Sequence, residues 1–469
     1  MSHFVVIVAD TLRRLESVRG LDPGRDTPTL QNFIGSSVCF ENAVASSPWS
    51  MPSHWSLMNG LDPWNIAPRA SDASRLPTSG SMAHYWTERG GTALSLSQND
   101  LVSRDESLLA GYTSVVPPSN VRIQRALAVG GSFIDMGVGV TGRAIRKRTD
   151  PLGGPVRGPV RRPVDWCYAA LLRAAGATGR VLTRRRERDS FLRGLAAQID
   201  ETRPSEPIHA FLNLMYVHEP YVHAPTSVEG ALSTGLIPTN NLALHGKNLR
   251  TTCTQLDPLH AAYREALRDL DRGLAQVLGV LRRTGVLDDA LVVLVSDHGQ
   301  ALGEGGRFGH GWTMQDEVVR IPAYVWDTRH LRAPSSSTVI REWIDHRHLH
   351  DVLLDQLESP GKPLETSVAD ALVRRGPAVS HFRGRPASGF NLAKRLAVRE
   401  RVRVWQDGSE VEMYRPSPDL SPEVLRATGS DSDLLQELAF RTLSIPRGPA
   451  DSDSDASGVY SRLESWGYN

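Results

Sequence analysis

Directly after His3 the chain runs through Phe4–Ala9 without a polar residue. A continuous apolar, β-branched run of this kind is the pattern of a parallel strand buried on both faces. Leu291–Val295 is a second such run, and His209–Val217, behind the Pro204–Pro207 turn, predicts a third strand. Between them the period changes. Over Leu259–Thr284, Leu267, Leu270, Leu274, Val277 and Leu281 recur at spacings of three and four, which is one face of a helix. Gly285 closes that helix as a left-handed cap, and Asp288-Asp289 turn the chain into the next strand. Strands alternating with helices predict a doubly wound α/β sheet, in which ligands sit outside the carboxyl ends of the strands. Asp10, His218 and Asp297-His298 each stand just past such an end. From about residue 370 the periodicity weakens; Leu396–Trp405 reads as part of a strand pair and Ser452–Ser457 as a polar linker.

The 53 Lys+Arg and 52 Asp+Glu of the 469 residues cancel to a net charge of +1. No molecule-wide field draws this chain to nucleic acid, so nucleic acid is not expected as a partner. The basic segment from Arg143 to Arg188, inside an insertion over about 143–190 with Pro and Gly at its centre, reads as a solvated lid or surface loop. Three scattered cysteines, Cys39, Cys167 and Cys253, make neither a disulfide framework nor a thiolate zinc site. No apolar run approaches the ~20 residues of a membrane span. The opening run has no cationic leader and ends in an acid, which leads us to expect a soluble, cytoplasmic protein.

Candidate chemistry concentrates in a few segments. In Ser296-Asp297-His298-Gly299, an Asp and a His adjacent on the turn that leaves a strand are able to point at one cation, with His310 of Gly309-His310-Gly311 returning to the same pocket. Gly299 frees the backbone for that turn. In Ser50-Met51-Pro52-Ser53-His54, Pro52 suits a first helical turn and Gly60 a helix stop, which places Ser50 at the N-cap. A hydroxyl there, set against a cation, is pushed toward the alkoxide. Serine is also a favoured cap with no catalytic role, an isolated His218 is commonly structural, and Asp10 alone is an ordinary turn residue. Only the set carries the inference.

The set resembles the sulfatase branch of the alkaline phosphatase superfamily. The resemblance runs through Asp10-Thr11-Leu12-Arg13, Thr27-Pro28-Thr29-Leu30, Phe40–Ala43, Ser50-x-Pro52-Ser53-His54, Met215–Tyr221, Asp271 to Asp289, Ser296–Gly299 with His310, Val318–Val325 as the next strand, and Arg462–Tyr468. It implies a three-layer αβα sandwich with a mostly parallel central sheet over 1–370, and a smaller C-terminal α+β subdomain over 371–469. It further implies one divalent metal ion (Ca, Mn, Mg or Zn) on Asp10, Asp297 and His298, with Ser50 completing the shell. Ser50 would be the nucleophile, and His218 and His310 would contact the anionic group, one of them protonating the leaving oxygen. His54 and Asn99 would bind substrate: His54 stands where the family carries arginine, and Asn99 within the segment that replaces Lys-x-His.

Ser50 also replaces the family's cysteine, which rules out cysteine-type oxidation to formylglycine. The expected function is a metal-dependent hydrolase of a sulfate ester, on a small-molecule or glycan substrate. The alternatives are a phosphate or phosphonate ester hydrolase or phosphotransferase using unmodified Ser50, and a catalytically silent binding protein.

Overall fold

A computed structural model of the chain describes residues 2–63, 80–103, 105–114, 191–200, 206–219, 221, 253–304, 308–311, 314–329, 338–383, 400–406, 409–415 and 426–428. The insertion at 143–190, Ser452–Ser457 and Arg462–Tyr468 lie outside these residues. In chain order the strands are β1 (His3–Ala9), β2 (Val38–Val44), β3 (Thr92–Ser97), β4 (Thr113–Ser114), β5 (Ile208–Leu214), β6 (Ala290–Val295), β7 (Ala301–Leu302), β8 (Phe308–Gly309), β9 (Ala323–Asp327), β10 (Val339–Asp345), β11 (Ala378–Arg383), β12 (Glu400–Gln406), β13 (Ser409–Arg415) and β14 (Arg426–Thr428).

Eight of them form one sheet in the order β10-β2-β9-β6-β1-β5-β3-β4. The pairings β1–β5, β1–β6, β3–β5, β3–β4 and β2–β10 are parallel; β9 runs against both β2 and β6. The period-2 alternation of β1 shows why the runs are apolar throughout. Val5, Ile7 and Ala9 face one layer, packed with Leu267, Leu270, Leu274, Val277 and Leu281 of the helix Cys253–Arg283. Phe4, Val6 and Val8 face the other, packed with Trp55, Leu57 and Met58 of the helix Ser50–Asn59 and with Leu349, Val352 and Leu353 of the helix His346–Glu358. This is the expected three-layer sandwich. Each fully buried Leu or Val contributes roughly 1.5–3 kcal/mol of transfer free energy, so the central sheet is the rigid platform on which the loops are mounted.

β11–β14 form a separate antiparallel sheet in sequence order. Its Arg403 Nη1 reaches back to the Met314 carbonyl at 2.8 Å and to Asp316 Oδ1 at 2.6 Å, and the His381 amide donates to Ser46 O at 2.8 Å. The 370/371 division falls inside the helix Leu364–Arg375, whose Val368 and Ala371 belong to the core of the sandwich. Two local expectations also change. The third strand stops at Leu214, because Met215–Val217 turns toward the site instead of pairing. Val318-Val319 close a short helix, Asp316–Val319, and the next strand starts only at Ala323.

Candidate active site

The parallel register brings one edge of the sheet together. Ala9 of β1 lies opposite Leu214 of β5, and Val8 opposite Val295 of β6. Asp10, Met215–His218 and Ser296–His298 therefore leave the sheet side by side at its carboxyl end. β3 delivers Asn99 and β2 the segment to Ser50 at the same edge.

Thr11 takes φ 61°, the single positive φ among the described non-glycine residues. For a β-branched residue this costs on the order of 1–3 kcal/mol, and it persists only where surrounding bonds fix it. Here the Thr11 amide donates to Asp297 Oδ1 at 3.1 Å and its hydroxyl to Val217 O at 2.8 Å, so the strained turn ties the β1, β5 and β6 ends together. Gly299 has a reason other than turn freedom. A Cβ there would lie 2.1 Å from Glu317 O, because Gly299 N donates to Val318 O at 2.7 Å across a close backbone approach.

Ser50 is the first residue inside its helix; Trp49 occupies the N-cap in extended geometry, with no side-chain capping bond. The expected cap role is corrected by one position, and the hydroxyl is thereby released from the backbone. Ser50 Oγ lies 3.2 Å from His298 Nε2 and 3.5 Å from Asn99 Nδ2. His298 Nδ1 donates to Gly299 O at 2.9 Å, which fixes the tautomer and leaves Nε2 facing Ser50 and Asp297 Oδ2, the latter at 3.4 Å.

The two acids are fully buried beside this hydroxyl. Asp10 Oδ2 accepts from Asn99 Nδ2 at 2.8 Å, and Asp297 Oδ1 accepts from the Thr11 and His298 amides. Asp10 Oδ1 and Asp297 Oδ2 are buried with no hydrogen-bond partner. Burial, and next the Asp297 charge, holds the Asp10 carboxyl well above the usual range. Burial also opposes ionisation of Asp297, but His298 and then His54 outweigh it and bring that group below its ordinary value. Ligand atoms of Asp10, Asp297 and His298 all lie within 4.8 Å of one another. Unpaired carboxylate oxygens in a dry pocket are costly, and a cation is the group that resolves both at once. The residues present fit a divalent metal, and a mixed carboxylate–imidazole set suits zinc, manganese or a similar ion.

His54 and Asn99 occupy other places than the expected substrate contacts. His54 is completely buried; its Nδ1 donates to Ser50 O at 2.8 Å and its Nε2 accepts from Asn213 Nδ2 at 2.8 Å. With both ring nitrogens committed, and its pKa lowered by burial, it is a neutral prop under the nucleophile. Asn99 is 1% exposed, with its amide on Asp10 and Ser50 and its Oδ1 on the Leu101 amide, so it holds the metal corner in shape.

His218 and His310 form the outer part of the cluster. The His310 ring lies 4.4 Å from that of His298 and 5.1 Å from that of His218. His218 Nδ1 donates to Glu219 O at 2.5 Å, and His310 Nδ1 to Gln300 Oε1 at 2.7 Å. Gln300 Nε2 in turn donates to Glu219 Oε2. Removal from water pushes the Glu219 carboxyl up to about 7, with the Gln300 bond pulling the other way.

Sequence reasoning passed over Asn213, Glu219, Gln300 and His346. Asn213 had a readable signal, a polar residue inside the otherwise apolar end of β5. His346 bridges Ser296 O, at 2.9 Å from Nε2, and the Ser46 amide, at 3.2 Å from Nδ1; only the sheet order makes those neighbours.

A family model described as Sulfatase matches residues 158–359, which include His218, Asp297, His298 and His310 and begin after Asp10 and Ser50. Among solved structures, the chain is similar to a phosphonate monoester hydrolase of Agrobacterium radiobacter, with 15% identity over 99% of this chain and 95% of that one and a TM-score of 0.57. A phosphonate monoester hydrolase from Silicibacter pomeroyi has 15% identity over 94% of each chain and a TM-score of 0.54. A 2-O GAG sulfatase has 14% identity over 99% and 94%, with a TM-score of 0.55. At these identities the likeness is one of fold. Among curated proteins, none matches the chain. Among the described residues no helix is long and apolar enough to cross a membrane.

Proposed function

We propose that this chain is a member of the sulfatase family and a metal-dependent hydrolase of an anionic ester, with Ser50 Oγ as its nucleophile. One observation carries the reading: three separate loops bring Ser50 Oγ to 3.2 Å from His298 Nε2, beside the unpaired oxygens of Asp10 and Asp297. A divalent cation held by Asp10, Asp297 and His298 supplies positive charge that favours the ionised hydroxyl and offsets charge on the transferred group. The chain's own residues do the rest. His54 and Asn99 hold Ser50 and Asp10 in register. Ser50 Oγ bonds to sulfur or phosphorus as the bond to the leaving oxygen breaks, and the proton that Ser50 gives up is taken by His218 or His310 and passed to that oxygen. Water then releases the acid from Ser50.

A sulfate ester of a small molecule or glycan is the first substrate reading, on the strength of the family. A phosphate or phosphonate ester is the second, favoured by the nucleophile itself. Ser50 is encoded as a plain hydroxyl, and the arginine position is filled by a neutral histidine whose two nitrogens are spent inside the fold. A phosphorylated serine is opened by attack at phosphorus, whereas a sulfated one is harder to release.

The test is metal analysis and the mass of the Ser50 peptide on one purified sample, followed by aryl sulfate, phosphate monoester and phosphate diester substrates. An unmodified peptide with bound metal and turnover of the phosphate esters alone selects the phosphorus reading. A peptide lighter by two hydrogens with sulfate turnover selects the sulfatase reading. Turnover that survives in Ser50→Ala removes both.

A further inference from the structure

We propose that Glu219 is the positioning residue for both outer histidines, its main-chain carbonyl fixing His218 and its side chain, through Gln300, fixing His310. The inference rests on the ester-hydrolase reading for what those histidines do, but not for how they are held. His218 Nδ1 lies 2.5 Å from Glu219 O and His310 Nδ1 2.7 Å from Gln300 Oε1. Both acceptors are oxygens without a proton to give, so both nitrogens donate, and each ring meets a ligand through Nε2. Gln300 is the link that makes Glu219 common to the two. Its amide oxygen accepts from an imidazole N–H on one side while its amide nitrogen donates to a carboxylate on the other.

Gln300 is also held rigidly. It is 1% exposed, its own amide donates to Glu317 O at 2.9 Å, and the preceding Gly299 is pinned against the same short helix. The pair therefore fixes tautomer and ring angle together, as a supporting carboxylate does for a metal-bound imidazole, where its loss typically costs 10–100-fold. The rings of His310 and His298 lie 4.4 Å apart, so a His310 released from Gln300 would no longer be held in that orientation beside His298.

The experiment compares the zinc-loaded full chain with Glu219→Ala, Gln300→Ala, Glu219→Gln and His310→Ala. Imidazole 15N spectra report tautomers without any turnover. The expected result is an Nδ1–H form for His218 and His310 in the parent. In Glu219→Ala and Gln300→Ala, His310 becomes a mixture of tautomers while His218, held by the main chain, stays. Glu219→Gln, which keeps an accepting oxygen, retains the parent spectrum. On whichever ester the parent hydrolyses, both alanine variants lower kcat by about 10–100-fold with KM within about threefold. Their double variant loses no more than either, and neither adds to the loss in His310→Ala. An unchanged His310 tautomer in Glu219→Ala and Gln300→Ala overturns the proposal, as do losses that multiply in the His310→Ala background. Should Glu219→Ala not fold, Gln300→Ala and Glu219→Gln decide it. A parent with no ester turnover sinks the functional reading alone, because the spectra still answer for Glu219.

Discussion

At the scale of the residue, two carboxylate oxygens beside the Ser50 hydroxyl, Asp10 Oδ1 and Asp297 Oδ2, are buried without a hydrogen-bond partner. Without a cation the two acids oppose each other, and burial together with the Asp297 charge already drives Asp10 toward its neutral form. Asp10→Asn removes that repulsion and lets an amide face Asp297. We expect the metal-free variant to melt about 1–3 °C above the metal-free parent, and added zinc or manganese no longer to raise its Tm. Asp297→Ala, which deletes the shared acceptor of the Thr11 and His298 amides, is expected to lose bound metal and turnover together. Parallel melting curves with and without metal check both variants; a metal-dependent shift that persists in either is the contrary result. Asp10, Ser50, Asp297 and His298 were legible in the chain because each follows a strand end or opens a helix. The partners that complete them, Asn213, Gln300 and Glu219, were not, since a hydrogen bond between β5 and the helix Ser50–Asn59 depends on sheet order and leaves no spacing in the sequence.

At the scale of the element, the Ser296–Gln300 turn owes its shape to contact with the helix Asp316–Val319 rather than to its own dihedrals. Gly299 N and Gln300 N both donate into that helix, to Val318 O and Glu317 O. The sequence pointed correctly to glycine there and to a tight turn, but a close backbone approach from residues almost twenty positions later has no local signature. Gly299→Ala would set a Cβ 2.1 Å from Glu317 O, where only backbone is able to move. We expect a loss of about 1–3 kcal/mol in chemical denaturation, with turnover reduced at least tenfold because Asp297 and His298 ride on the displaced turn. Gly35→Ala is the opposite case: it sits at the end of the helix Pro28–Gly35, and an added Cβ meets nothing within 4 Å. There the substitution is expected to stabilise by about 0.5–1 kcal/mol without touching activity. Equal effects of the two substitutions would contradict the distinction drawn between them.

At the scale of the whole molecule, what the layers enclose decides how the protein responds to acid. The apolar runs made the sandwich predictable, but the same runs carry histidines that periodicity treats as interruptions. His209 in β5 donates from Nδ1 to Phe4 O at 3.2 Å and accepts the Tyr112 hydroxyl at 2.7 Å; His346 is held between Ser296 O and the Ser46 amide. Burial lowers His346 from 6.5 to about 4 and His209 to about 3, and it moves His54 and His350 in the same direction. Below pH 6.5 the unfolded chain takes up protons at these rings that the folded chain resists, His346 until about pH 4 and His209 until about pH 3. Their contribution to stability is thus complete above about 6.5 and is lost as the pH falls through that window, at about 1.4 kcal/mol per pH unit for each ring. Asp345 does not act there, because Arg347, working against burial, holds its carboxyl well below 3.8 in the folded state. His346→Gln offers Ser296 O and the Ser46 amide a donor and an acceptor that do not titrate. Urea midpoints measured between pH 7 and 4.5 should fall for both proteins, with the variant's slope shallower by about 1.4 kcal/mol per unit, the linkage of one proton. Equal slopes would mean that the folded protein charges His346 as readily as water does, which a ring sealed between two backbone groups cannot do.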